Sequence, residues 1–246
     1  FGTRFIWVGD WPARGICKSM SNATSSWQDR ISGTVLYAWG RMTSRFSRFQ
    51  VSGIDHLQAA QARQRPLIFT AWHGMTMMLV GFFANQYDLS RLVLILPDDW
   101  RGGALTVFAN RLGVTPFPMN LHDEASMSTA RQLAKLVRQV KAGRDAYITP
   151  DGPEGPSYEI KPGLIYIAQK ANATILPVGA YARHGYRVPR WDRYVMPYPF
   201  SKIAIQVGEP IVVDKDAELT AVSTHLTQQL HYVTLQAAAN YYEKPF

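Results

Sequence analysis

The chain has 246 residues, 47% of them hydrophobic and 18% charged, and carries a formal net charge of +8. This composition supplies a core for one large domain and excludes an intrinsically disordered chain. The basic residues are scattered, with no run of five, so the charge favours an anionic lipid surface or a phosphorylated ligand over nucleic acid as the partner. The alternative is a basic surface that binds no particular partner. Cys17 is the only cysteine, which excludes an internal disulfide and a multi-cysteine metal site.

The first 47 residues are predicted to form an amphipathic segment that faces a membrane or a partner and precedes an α/β domain at 48–246. Trp7, Trp11 and Trp27 stand near basic residues, which suits either a membrane–water interface or the edge of a core. Over 27–49 the apolar residues recur at helical spacing and indicate a basic amphipathic helix that packs on the domain by its apolar stripe. That stripe consists of Ile31, Val35, Leu36, Trp39 and Met42.

His73 and Gly74 directly follow an apolar run at 66–72 that reads as a buried strand, and a helix is predicted at 75–83. The carboxyl end of a strand ahead of a helix is where α/β proteins place reactive groups. His73 is therefore a candidate base, although a lone histidine is more often structural.

Strands and helices alternate along the rest of the chain. Strands are predicted at 92–96, 114–119, 145–149, 175–179 and 203–207, and helices at 104–112, 128–141 and 217–242. This alternation predicts an α/β fold with a mostly parallel central sheet and helices on both faces. Residues 183–200, rich in arginine, proline and aromatics, are predicted to be irregular. The chain contains no stretch near the ~18 apolar residues that a spanning helix needs.

Residues 150–156 hold three prolines, two glycines and two carboxylates directly after a predicted strand. Neither a helix nor a central strand accommodates that composition, because proline fixes φ and removes a donor. A stiff loop that carries Asp151 and Glu154 in this position is a candidate site, with a solvated turn as the alternative.

Several short motifs together resemble the lysophospholipid acyltransferase superfamily, in particular a bacterial branch once known only as a domain of unknown function. The loop followed by Lys-Pro-Gly is specific, whereas the His-Gly pair alone is not. The resemblance covers about residues 48–213. Its motifs are Trp72-His73-Gly74, the loop 150–156, Lys161-Pro162-Gly163, Leu176-Pro177-Val178, Trp191-Asp192-Arg193, Pro197 and Pro199-Phe200.

The resemblance implies a glycerolipid-acyltransferase-like fold and transfer of a fatty acyl group from acyl-coenzyme A or acyl-carrier protein to a lysophospholipid or related lipid, without a bound cofactor or metal. His73 matches the histidine that acts as general base, and Asp151 takes the place of the loop's catalytic carboxylate. Substrate-binding positions are Gly74, Arg101, Gly152, Pro153, Glu154, Gly155 and Lys161.

The resemblance also implies a peripheral location on the cytoplasmic face of a membrane. The expected partners are the lipid substrate, an anionic membrane surface and a larger membrane protein complex.

The chain departs from the family pattern beside the histidine. The family carries an aspartate five positions after it, to orient the imidazole, and here that position is Met78. A base without its orienting carboxylate loses much of its rate. The carboxylate then comes through space, with Asp98, Asp99 and Asp151 as candidates, or the chain is a catalytically weakened fold that serves as a structural or lipid-binding subunit.

A second departure concerns the acceptor. Residues 115–119 contain no basic side chain where the superfamily offers an arginine to the acceptor phosphate. Arg101, Lys161 and Arg183 are the candidates for binding an anionic head group instead.

Overall fold

The computed structural model describes residues 4–6, 26–120 and 126–243. Trp7, Trp11 and Cys17 lie outside these ranges. Within them, no helix combines the length and apolar character needed to cross a bilayer.

The described strands and helices alternate as predicted. The strands are β1 (Arg4–Ile6), β2 (Arg48–Ser52), β3 (Leu67–Thr70), β4 (Leu92–Pro97), β5 (Thr115–Met119), β6 (Asp145–Ile148), β7 (Thr174–Tyr181), β8 (Gly185–Arg187), β9 (Val195–Pro197), β10 (Lys202–Val207) and β11 (Ile211–Val212). The α-helices are α1 (Trp27–Phe46), α2 (Ile54–Ala62), α3 (Thr76–Gln86), α4 (Gly102–Leu112), α5 (Met127–Lys141), α6 (Pro162–Ala171) and α7 (Leu219–Glu243).

The central sheet has the order β1-β2-β10-β7-β3-β6-β4-β5, and β11 pairs with the first residues of β7. The run from β7 to β5 is parallel throughout, as is the pairing of β2 with β10. The antiparallel pairs are β1 with β2, β7 with β10 and β7 with β11. The predicted fold class, α/β with a mostly parallel sheet, is confirmed.

Helices cover both faces of the sheet because successive strand residues point to opposite sides. Phe69 packs in a cluster with Leu79 and Phe82 of α3, whereas its neighbour Ile68 packs in a second cluster with residues of α5, α6 and α7, such as Leu230. Two apolar layers therefore hold the strands that carry the candidate site.

The parallel arrangement also decides where the loops meet. The carboxyl ends of β3, β4, β6 and β7 lie at one edge of the sheet, since parallel strands share a direction. The connection from β7 to β10 begins and ends at that same edge, because β10 runs antiparallel to β7. His73, the loop 150–156 and residues 183–200 are brought together for this reason.

Helix α1 has the predicted position but packs by a different face. Its buried residues are Gly33, Gly40, Thr43 and Ser44. A Cβ at Gly33 would collide with the Ala104 carbonyl oxygen of α4, so the small residues let the helices approach closely. The prediction that α1 packs by its apolar stripe is wrong for most of that stripe. Trp27, Ile31, Val35, Met42 and Phe46 are exposed.

Residues 183–200 are more regular than predicted. Strands β8 and β9 pair in an antiparallel hairpin, with Gly185 opposite Pro197. The hairpin packs on α3, and its tip returns to the edge of the sheet where His73 lies. The prediction of an irregular segment is therefore wrong, and the cause is that arginine and proline masked two strands of three residues each.

Candidate active site

His73 stands one short 3₁₀ turn ahead of α3, at the carboxyl end of β3. Its backbone amide donates to Asp151 Oδ1 at 3.0 Å, and its carbonyl oxygen accepts from Thr76 Oγ1 at 2.9 Å. Both backbone groups of His73 are thus satisfied by neighbouring side chains. The position of the imidazole is consequently well defined relative to the loop and to α3.

The imidazole has a carboxylate partner, Asp192. His73 Nδ1 lies 2.6 Å from Asp192 Oδ2, and the side chains are 21% and 1% exposed. Within the described residues the ring pairs with Asp192, which was not among the predicted candidates Asp98, Asp99 and Asp151. Met78 is buried in the core beside Phe82, so the family's usual carboxylate position is filled by packing. The orienting carboxylate comes instead from the β8–β9 hairpin.

Four hydrogen bonds satisfy the Asp192 carboxylate. Besides His73, Arg190 donates from Nη2 to Oδ2 at 2.9 Å and from Nε to Oδ1 at 3.3 Å, and the Tyr194 amide donates to Oδ1 at 3.3 Å. Burial by itself would raise the pKa of Asp192, but the hydrogen bonds from His73 and Arg190 outweigh it and lower the pKa to about 2. Asp192 is therefore a carboxylate at neutral pH.

Glycine and tryptophan contacts hold the hairpin over His73. A Cβ at Gly74 would collide with the Asp192 carbonyl oxygen, and a Cβ at Gly155 would meet the Trp191 ring at 2.7 Å. Trp191 Nε1 donates to the Pro153 carbonyl at 3.1 Å, and the ring stacks on His73 with centroids 5.7 Å apart. These two glycines are needed because backbone or ring atoms occupy the space of their side chains.

Asp151 lies beneath the imidazole and is 2% exposed. Burial raises the pKa of Asp151 to about 6, and the hydrogen bond from the His73 amide offsets part of that effect. Its contact with His73 is through the backbone and not through the ring. Asp151 therefore fixes where His73 stands, while Asp192 fixes how its ring is turned.

A cavity of about 650 Å³ opens beside His73. Its walls are mainly apolar side chains from α1, α4, α5, α6 and the strand ends, among them Leu36, Leu105, Leu133 and Ile167. The charged side chains that line it, among the described residues, are all basic: Arg101, Lys161 and Arg190. The size is typical of ligand pockets, and such walls suit an apolar chain that carries an anionic group.

Comparison with known proteins identifies the fold. The chain superimposes on PlsC, the 1-acyl-sn-glycerophosphate (LPA) acyltransferase of Thermotoga maritima, with a TM-score of 0.55 over 89% of this chain and 80% of PlsC, at 13% identity. It has an acyltransferase fold. It is also 25% identical to the uncharacterized protein RP090 of Rickettsia prowazekii (strain Madrid E) over 153 residues, 62% of this chain and 67% of RP090. No protein-family model matches the chain.

The residues predicted to bind substrate fall into two groups in this acyltransferase fold. Arg101, Gly152, Pro153 and Lys161 line the cavity with His73. In the described part of the chain, Gly74, Glu154 and Gly155 are outside the cavity wall. The two glycines permit close packing of the hairpin instead, and Glu154 Oε1 accepts from Arg101 Nη2 at 2.6 Å.

Arg101 is held in place by two carboxylates. It donates from Nε and Nη2 to Asp99 and from Nη2 to Glu154, and the hydrogen bond to Asp99 is the main reason that the pKa of its guanidinium is raised further. The pair with Glu154 ties the loop 150–156 to the end of β4. Arg183, the other candidate for a head group, is exposed and, within the described residues, does not line the cavity.

Arg190 and Asp192 are the site residues that the sequence reasoning missed. The Trp-Asp-Arg motif at 191–193 was part of the family resemblance, so one signal pointed to this segment. The pairing with His73 is not deducible from the sequence, because the segment lacks a strand pattern and 119 positions separate the two residues.

Proposed function

We propose that this chain transfers a fatty acyl group from an acyl thioester, acyl-coenzyme A or acyl-carrier protein, to the hydroxyl of a lysophospholipid or related lipid. The observation that carries the proposal is the His73–Asp192 pair at the wall of an apolar cavity. The fold shared with the acyltransferase PlsC supports it.

His73 is the general base in this proposal. Asp192 accepts a hydrogen bond from Nδ1–H, which leaves Nε2 with a lone pair to accept the proton of the acceptor hydroxyl. The oxygen attacks the thioester carbonyl, the C–S bond breaks, and the imidazolium returns the proton to the departing thiolate. The products are an ester and a free thiol. Such proton transfer contributes about 10²–10⁴ in rate.

The cavity is the proposed site for the acyl chain. Its apolar walls reach from His73 past α4 and α5, so a chain lying there would be removed from water along its length. The basic residues on the wall favour an acceptor with an anionic head group, because they add positive charge to the lining of the cavity. A lysophospholipid combines both features.

The proposal is tested by incubating the purified chain with a radiolabelled palmitoyl thioester and a panel of lysophospholipids. We expect label in the diacyl product, and loss of at least about 100-fold in rate for His73→Asn. The matched control is His225→Asn, because His225 is exposed on α7 and is not among the described residues that line the cavity. Transfer that survives in His73→Asn, or no transfer to any acceptor from either carrier, would overturn the proposal.

We further propose that α1 docks this acyltransferase on an anionic membrane surface. The exposed residues Trp27, Ile31, Val35, Met42 and Phe46 follow one another at intervals of four or seven, so they form a single stripe along the helix. A 20-residue helix is about 30 Å long, so the stripe extends across the domain. An apolar stripe of this length that is exposed among the described residues is typical of interfacial helices.

Charge and position support the same surface. Exposed arginines flank the stripe at Arg30, Arg41 and Arg45, which complements anionic head groups. Leu36 of the same helix lines the cavity, so a lipid entering from the membrane would pass beside α1. At the far end, Phe200 is exposed and stacks on Phe46 with centroids 5.1 Å apart, which widens the stripe.

A further inference from the structure

We propose that Arg190 is a positioning residue that holds Asp192 against His73 and compensates its charge, so that the imidazole remains available to accept a proton. The inference rests on the proposed role of His73 as a base. It assigns a function to a residue of the β8–β9 hairpin that does not itself take part in proton transfer.

The geometry of Arg190 is that of a fork. Its Nη2 and Nε each donate to a different oxygen of Asp192, at 2.9 and 3.3 Å. Such a planar, two-point contact fixes the rotation of a carboxylate better than a single bond does. With His73 on Oδ2 and the Tyr194 amide on Oδ1, four acceptor positions of Asp192 are occupied. Asp192 consequently cannot turn away from His73 without losing Arg190.

The charge of Arg190 matters as much as its shape. A buried carboxylate 2.6 Å from an imidazole favours the protonated ring, and a protonated ring cannot accept a proton from the acceptor hydroxyl. Arg190 opposes this effect because its positive charge lies on the same carboxylate. Its side chain is 41% exposed, so it supplies that charge without being fully desolvated.

Other groups around His73 do not replace Arg190 on Asp192. Asp151 accepts a hydrogen bond from the His73 amide, and the Tyr194 ring lies against both the imidazole and the Arg190 guanidinium.

In the described part of the chain, eight titratable or charged residues face His73 or share its cavity. They belong to the start of α4, β6, the segment between β6 and α6, α6 itself and the hairpin, and they are Arg101, Tyr147, Asp151, Lys161, Tyr166, Arg190, Asp192 and Tyr194.

The experiment compares Arg190→Gln, Arg190→Lys and the control Arg193→Gln, which removes the same charge from an exposed position on the same turn. Two readouts are recorded on the full chain: the pH titration of the His73 ring by NMR, assigned with His73→Asn, and the pH profile of kcat/KM for acyl transfer. In Arg190→Gln we expect both the ring titration and the acidic limb of the rate profile to move to higher pH.

At pH 7 we expect kcat/KM to fall about tenfold in Arg190→Gln. Arg190→Lys restores the charge without the fork, so its ring titration should resemble the wild type while kcat stays reduced. A ring titration in Arg190→Gln that matches Arg193→Gln would overturn the inference. The NMR readout needs no activity, so an inactive wild type would refute the proposed function and still test the role of Arg190.

Discussion

The Nδ1 atom of His73 and the Oδ2 atom of Asp192 are 2.6 Å apart although 119 positions of sequence separate the residues. We predict that Asp192→Asn lowers kcat/KM by about 10²–10⁴-fold, because the amide carries no negative charge and puts an NH₂ donor where one carboxylate oxygen now accepts a hydrogen bond. Acyl transfer is measured on the folded variant, with Asp98→Asn as the control, since Asp98 is exposed. Wild-type rates in Asp192→Asn would show that the pair does not act in transfer.

The contributions of Asp151 and Asp192 to stability should change in opposite ways as the pH rises. The pKa of Asp151 is raised to about 6, so the folded chain binds its proton more tightly than the unfolded chain, and this contribution is lost as pH rises through about 6. The wild type should lose about 1 kcal/mol of unfolding free energy between pH 5 and pH 7 through this group, and we expect that pH dependence to be absent in Asp151→Asn. Urea unfolding of both proteins at the two pH values measures it; equal pH dependence would contradict the prediction.

The pKa of Asp192, in contrast, is lowered to about 2, so its contribution is present above the unfolded value and disappears as pH falls from about 4 to 2. Acid unfolding should therefore begin at a higher pH in Asp192→Asn than in the wild type. The measurement is the fluorescence midpoint of an acid titration, and an unchanged midpoint would argue against a stabilising role for the paired carboxylate.

Gly74 should not tolerate a side chain. An alanine Cβ would collide with the carbonyl oxygen of Asp192, a backbone atom that cannot swing aside, so we expect Gly74→Ala to lose about 1–3 kcal/mol of stability. Chemical unfolding measures the loss. Gly163→Ala is the unfolding control, because a Cβ there meets nothing within 4 Å. Equal stability of the two variants would refute the close approach.

Filling the cavity should change the choice of acyl chain. Leu133 of α5 lines it, so Leu133→Trp would occupy part of the volume proposed for the far end of the chain. We expect a drop of about tenfold or more in transfer from a palmitoyl thioester and little change with a butyryl thioester. Leu235→Trp on the exposed face of α7 is the control. A uniform loss with both donors would mean that the acyl chain lies elsewhere.

The apolar stripe of α1 should govern membrane binding. Replacing Ile31, Val35 and Met42 by serine removes exposed apolar area without disturbing the core, so we expect unchanged stability and at least tenfold weaker binding to phosphatidylglycerol vesicles. Sedimentation at low and high salt measures the binding, which should weaken as salt screens the arginines. Tyr232→Ser with Leu235→Ser, on α7, is the control. Binding that survives the triple change would place the contact elsewhere.

Much of the fold follows from local apolar patterns. The apolar runs at β3, β4 and β6 are short, and each is followed by turn residues and then a helix, which is the pattern of a parallel sheet. His73 and the loop 150–156 were expected at one edge for the same reason. Parallel strands leave few other positions for the residues that follow them.

The packing of α1 and the partner of His73 could not be predicted, for different reasons. Gly33 and Gly40 lie on the face of α1 that packs against the neighbouring helices, where their small size allows close approach. A search for hydrophobic periodicity does not count glycine, so it selects a different face. The pairing of His73 with Asp192 depends on a hairpin that is positioned by the contact of its Asp192 carbonyl with Gly74 and by the hydrogen bond of its Trp191 to Pro153. Such long-range contacts leave no local pattern.

The position of Asp192 on a hairpin affects how distant relatives should be classified as active or inactive. A chain with a histidine but no acidic residue on the helix that follows would be set aside as a pseudoenzyme by any search for neighbouring residues. Here the acid comes from the hairpin, and Met78 on the following helix packs in the core. Surveys of such chains should therefore inspect the connection between the two antiparallel strands of the sheet before they conclude that the chemistry has been lost.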